Sequence, residues 1–159
     1  ICSVAGFPLG THTSKTKLTE IEICLNDGAS EIDMVMNIGL LKDGNLKAVI
    51  NELREAKNIT GENILKIIIE TSLLSNEEII TASKLVEESG ADFVKTCTGF
   101  NSESATINNI NLIKNSVSST MKIKASGGIK TLKQLQGMLN AGAHRIGTSS
   151  GIRIMEEIP

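Results

Sequence analysis

The 159-residue chain has no Trp, no Tyr and only three Phe. Without aromatic platforms it is poorly equipped to stack unpaired bases. A net charge of −2 provides no attractive field for nucleic acid or an anionic membrane. No apolar run approaches the roughly 18 residues of a membrane span. Cys2, Cys24 and Cys97 are odd in number and scattered, which fits reduced thiols in a cytoplasmic protein rather than a disulfide framework. His12 and His144 lack ligand-spaced partners, so no metal site is expected. The opening ICSVAGF is short and lacks the basic start of a signal peptide. It also lacks an initiator Met and begins directly in an apolar run, as a piece of a longer chain would.

What is present is an alternation. Runs rich in Val and Ile predict strands at about 1–7, 31–38, 65–72, 92–98, 122–127 and 145–149. Helical patterns fall between them, near 17–27, 44–58, 76–89, 104–117 and 132–141. In the second, Leu46, Val49, Ile50 and Leu53 recur at i, i+3, i+4 and i+7. Ser75 with Glu78, and Thr131 with Gln134, spell capping boxes. Gly28, Gly90 and Gly142 suit the left-handed position that closes a helix. Strict alternation implies a parallel sheet with helices outside it, and with no linker in sight residues 1–159 read as one domain. The sheet could be open and doubly wound, or most of a (β/α)8 barrel. GFPLGTHT after the first strand lacks the G-x-G-x-x-G of a dinucleotide fold, which counts against the former.

Polar residues inside the strands favour the barrel. Side chains alternate across a strand, so Asp33 shares a face with Val35 and Asn37, and Lys95 with Phe93 and Cys97. Lys124 aligns with Lys122 and Ser126, and Glu70 with Ile68 and Ser72. In a barrel these faces converge on the axis, below the mouth at the strands' C-terminal ends. Two lysines and an aspartate in one cavity have a chemical use. A neutral lysine amine condenses with a carbonyl to a Schiff base, an electron sink for C–C cleavage. With a reference pKa of about 10.4, lysine needs burial or a neighbouring cation to be neutral near pH 7. Lys95 and Lys124 are expected to supply that effect for each other, with Asp33 passing protons. Each such residue taken alone is more often structural, and Glu70 reads as a supporting residue. Cys2 and Cys24 read as small buried residues, Cys97 as packing, and Met34 and Met36 as barrel-to-helix packing.

Two glycine-bearing turns, ASGGIKT (125–131) and IGTSSG (146–151), follow the last two strands. Backbone N–H groups at such turns suit a phosphate, a frequent feature of the last two barrel loops. Gly127, Gly128, Gly147, Ser149 and Ser150 are the candidate grip, with Lys130 as a charge.

EIDMVMNIG (31–39), KIIIETSLL (66–74), GADFVKTCTGF (90–100), KIKASGGIKT (122–131) and RIGTSSG (145–151) closely resemble the deoxyribose-phosphate aldolase family. VAGFPLG (4–10) fits as well. The resemblance implies a class I aldolase on a (β/α)8 barrel, without metal or organic cofactor, that cleaves 2-deoxy-D-ribose 5-phosphate to acetaldehyde and D-glyceraldehyde 3-phosphate in cytoplasmic deoxynucleoside breakdown. It makes Lys95 the Schiff-base lysine, Lys124 its tuning partner and Asp33 the relay carboxylate. It sets Thr98, Gly99, Gly127, Gly128, Ser149 and Ser150 along the substrate. The chain departs from the family in three residues: Cys97 for a frequent serine, Phe100 where some members carry lysine, and Lys130 for a common arginine, which forgoes bidentate geometry. The six strands correspond to the third to eighth of the family barrel. An incomplete barrel has open edges, so a truncated product, or edges covered in a homo-oligomer, is expected. The competing readings are another Schiff-base aldolase acting on a different phosphorylated sugar, and an inactive fragment.

Overall fold

The computed structural model describes residues 1–101 and 105–158. Six strands, β1 (Cys2–Ala5), β2 (Glu31–Val35), β3 (Ile64–Ile68), β4 (Phe93–Lys95), β5 (Lys122–Ser126) and β6 (Arg145–Gly147), form one sheet in sequence order. Every adjacent pair is parallel. Helices α1 (Ser14–Asn26), α2 (Ile38–Lys42), α3 (Leu46–Thr60), α4 (Asn76–Glu88), α5 (Ile107–Ser116), α6 (Leu132–Ala141) and α7 (Gly151–Glu156) connect and follow them.

The sheet is rolled. Strands lie about 4.8 Å apart, so β2 and β5, three steps apart, would be roughly 14 Å from each other in a flat sheet. Asp33 on β2 nevertheless touches Lys124 on β5 at 2.7 Å. Glu31 on β2 reaches Arg145 on β6, one strand further. The concave side faces inward and the helices cover the convex side, which is an incomplete (β/α)8 barrel with six strands.

Alternation assigns the two sides. Ile32, Met34, Leu65, Ile67, Val94, Ile123 and Ala125 point outward into a core shared with Ile21, Val49, Leu53, Ile79, Val86, Ile110 and Ile113 of the helices. Burying each large aliphatic contributes about 1.5–3 kcal/mol. Helix starts follow local chemistry. Thr13, Asn45, Ser75, Thr106 and Thr131 accept from a backbone N–H in the first turn, and both capping boxes form.

Several expectations shift. The strands are shorter than their apolar runs, because the residues beyond each C-terminal end bend away to build the mouth. β3 stops at Ile68, so Glu70 and Ser72 are not strand residues: Glu70 is left-handed (φ 51°, ψ 67°) and Ser72 lies in a 3-10 turn, Thr71–Leu73. Such a conformation costs a non-glycine residue on the order of 1–3 kcal/mol. The five-residue α2 is too short to show a period. The helix expected from 104, α5, begins at Ile107; residue 104 itself lies outside the described residues.

Candidate active site

The barrel interior is charged. Asp33 is 2 % exposed, and three ammonium groups surround its carboxylate. Lys66 Nζ donates to Oδ1 at 2.8 Å, while Lys95 Nζ and Lys124 Nζ both donate to Oδ2 at 2.7 Å. The two lysines that share one oxygen therefore have nitrogens within twice 2.7 Å of each other. Register explains the meeting, since Lys95 pairs directly with Lys124 across β4 and β5, and Asp33 with Lys66 across β2 and β3. The side chains of Lys95 and Lys124 point to the same side.

The environment separates two of these lysines. Lys66 has a second carboxylate, Glu31 Oε2 at 2.6 Å. Burial disfavours its charge, but the hydrogen bonds to Asp33 and Glu31 outweigh it and raise its pKa. For Lys95 burial wins: it lowers the amine's pKa against the opposing pull of Asp33, and Lys124 lowers it further. Burial, rather than the neighbouring cation expected from the sequence, is the larger cause. Burial would push the Asp33 carboxyl up, yet the Lys95 charge and the three ammonium hydrogen bonds hold it well below the usual carboxylate range. The Lys66 hydrogen bond to Glu31 likewise lowers that carboxyl's pKa.

Above this cluster opens a cleft of about 320 Å³ with Lys95 and Lys124 in its lining. Thr98, Gly99 and Phe100 form the wall after β4. Gly127, Gly128 and Lys130 line it after β5, as do Gly147 at the end of β6 and Ser149 beyond it. Two of these glycines show why a side chain does not fit. Gly127 has φ 94° with a Cβ site 3.3 Å from Cys97 Cβ, and a Cβ at Gly147 would come within 2.9 Å of Ser126 Cβ. Ser150 follows Ser149 at the N-terminal end of α7, where its N–H donates to Thr148 Oγ1 at 2.9 Å. Thr98 does line the cleft, but its hydroxyl donates to Glu70 Oε2 at 2.5 Å.

Lys66 is the residue that sequence reasoning misses. It has the same parity as Ile68, so the alternation that marks Asp33 and Lys95 marks it too; a lysine amid Ile and Leu was the available signal. Cys2 is another correction. It is exposed rather than buried, and its thiol lies 3.3 Å from Asp33 Oδ1, with a pKa raised by partial burial and by Asp33. Cys97 is buried against Thr71 Oγ1 at 3.3 Å, and burial raises its pKa. His144 Nδ1 accepts from the Ile123 N–H, a structural use. Among the described residues no three His, Cys, Asp or Glu side chains are grouped to hold a metal ion, and no helix is long and apolar enough to cross a membrane.

A rolled parallel sheet with lysines and a carboxylate under a cleft at its C-terminal edge defines an enzyme of the (β/α)8 type. Residues 1–156 match the DeoC/LacD family aldolase, and the chain belongs to that family. It is an aldolase, a carbon–carbon lyase. It is 50 % identical over 158 residues to a deoxyribose-phosphate aldolase from Clostridium kluyveri, covering 99 % of this chain and 72 % of that protein. The solved structure of QR15, an aldolase, superposes with a TM-score of 0.95 at 44 % identity, covering 98 % of this chain and 71 % of that one. A tetrameric deoxyribose phosphate aldolase from Aeropyrum pernix gives a TM-score of 0.87 at 32 % identity, covering 98 % and 66 %.

Proposed function

We propose that the protein is a class I aldolase that uses Lys95 to cleave 2-deoxy-D-ribose 5-phosphate, reversibly, into acetaldehyde and D-glyceraldehyde 3-phosphate. The observation that carries this is the sharing of Asp33 Oδ2 by Lys95 and Lys124, with burial lowering the pKa of the former. A less basic amine is a nucleophile closer to neutral pH. It adds to the C1 aldehyde of the open-chain sugar and, with loss of water, forms the protonated imine. The C3 hydroxyl then gives up its proton, the C2–C3 electron pair moves to the imine, and D-glyceraldehyde 3-phosphate departs. The remaining enamine takes a proton at C2, and water hydrolyses the imine to acetaldehyde and free Lys95.

Lys124 is the group beside Lys95 that gives and takes these protons, and Asp33 holds both ammoniums in position. The hydrogen-bonded, fully buried Lys66 keeps the other carboxylate oxygen occupied. At the far side of the cleft the glycine turns and Lys130 receive the phosphate. The names of the relatives support this substrate, and the chemistry belongs to deoxyribonucleotide catabolism in the cytoplasm. The tetrameric Aeropyrum pernix structure supports a homo-oligomer, which sedimentation would measure.

Borohydride reduction in the presence of substrate should leave a secondary amine at Lys95, located by peptide mass. Modification elsewhere, or none in a preparation that turns over, would remove the Schiff-base mechanism. Release of acetaldehyde distinguishes this substrate from another phosphorylated sugar.

A further inference from the structure

Glu70 is the only non-glycine residue with positive φ among the described residues, and it stands at the mouth two residues past the end of β3. Its side chain is buried, with the whole residue 2 % exposed. Among the described residues no lysine or arginine lies within ion-pair distance of it. Its partners are instead on the cleft wall. Oε2 accepts from the Thr98 N–H at 3.1 Å and from the Thr98 hydroxyl at 2.5 Å. Oε1 accepts from Ser72 Oγ at 3.3 Å.

These bonds continue the β3–β4 ladder by other means. The Ile69 N–H donates to the Lys95 carbonyl and the Thr71 N–H to the Thr96 carbonyl, each at 3.0 Å. Between them the left-handed turn swings the Glu70 side chain across the gap, and its carboxylate takes the N–H that a regular strand would have met with a carbonyl. Thr98 Oγ1 then accepts from the Phe100 N–H at 3.3 Å, so one carboxylate orders the segment Thr98–Gly99–Phe100. That segment begins three residues after Lys95 and lines the cleft. A strained backbone kept at a functional mouth is best explained by what its side chain holds.

We infer that Glu70 is a positioning residue that fixes the Thr98–Phe100 wall relative to Lys95, and so sets affinity for the distal, phosphate-bearing part of the substrate rather than the reactivity of the amine. The inference rests on the aldolase reading above and deepens it. Glu70 touches no reacting atom. Removing its carboxylate leaves two donors on Thr98 without their acceptor and frees the wall.

The test compares Glu70→Ala, Glu70→Gln and Glu70→Gly with the unaltered chain. On the aldolase reading, deoxyribose 5-phosphate is long enough to run from Lys95 along the wall, whereas two-carbon acetaldehyde engages the amine alone. For Glu70→Ala the KM for the phosphorylated sugar should rise about tenfold or more, the range expected when buried donors lose a charged partner. Borohydride trapping of Lys95 by acetaldehyde should stay within about threefold. Hydrogen exchange at the Thr98 amide should accelerate by about tenfold, a readout independent of turnover. Glu70→Gln, which keeps an acceptor oxygen, should recover part of the KM. Glu70→Gly, which relieves the backbone but removes the carboxylate, should show the full KM defect. The assignment is overturned if KM is unchanged in Glu70→Ala, if trapping by acetaldehyde falls in parallel with it, or if Glu70→Gly restores KM. Failure of trapping in the unaltered chain would sink the Schiff-base reading instead, and the exchange rate at Thr98 would still report on Glu70.

Discussion

Two clusters of buried charge lie on opposite sides of the same strand, β2. On the helix side, Lys17 and Glu52 are both almost fully enclosed and pair at 2.8 Å. Lys17 Nζ also donates to the Val35 carbonyl, and Glu52 Oε2 accepts from Ser14 Oγ, so one cation meets one anion and spare donors are absorbed locally. Inside the barrel, Asp33 faces three ammoniums, and two of them share an oxygen. Burial is the largest cause of the lowered pKa at both Lys17 and Lys95, but only Lys95 adjoins a second cation and an open cleft. A balanced pair without access is architecture. An unbalanced cluster with access is chemistry, because burial lowers the pKa of an amine that opens onto the cleft and the second cation lowers it further.

The largest break in that comparison is Lys95→Met. Loss of the nucleophile should lower kcat by about 10⁵–10⁶-fold, measured by acetaldehyde release, while far-UV circular dichroism is retained. Asp33→Asn comes next. Without the carboxylate that holds Lys95 and the proton-transferring Lys124 in position, kcat should fall by about 10²–10⁴-fold.

Lys17→Met should do the reverse of both. Leaving Glu52 buried without its cation should cost about 3–5 kcal/mol in urea unfolding, with kcat within a few-fold of the parent. Replacing Glu52 as well, by Leu, should recover most of that loss. A large kcat defect at full stability would erase the distinction between the two sides of β2.

The finest test is the pH dependence of borohydride trapping at Lys95. Trapping rises with pH as the amine loses its proton, along a limb below the reference value of about 10.4. Asp33 favours the charged amine and Lys124 disfavours it. Asp33→Asn should therefore move the limb to lower pH and Lys124→Met to higher pH. Because burial is the larger cause, both limbs should stay below the reference; movement in one common direction would contradict the assignment.

Much of this site was legible before any coordinates. Asp33, Lys95 and Lys124 announce themselves because an ionisable residue inside a strand breaks the aliphatic pattern, and parity says which face it takes. Lys66 was legible by the same rule. Glu70 was not read correctly, since IIIET continues the apolar strand without a turn signal. Its left-handed backbone comes with carboxylate contacts to Thr98 and Ser72 that no local spacing announces.

The amino-acid order by itself determined the βα alternation, the helix caps and which strand faces carry charge, since these depend on spacing and side-chain type within a few residues. Only the rolled sheet decided that Lys95 and Lys124 meet on one oxygen of Asp33, that Lys66 is held by two carboxylates, and that burial lowers the pKa of one lysine while hydrogen bonds raise that of the other. Dielectric environment and distance are properties of what folds together, and residues 33, 66, 95 and 124 become neighbours only when the strands curl around a common axis.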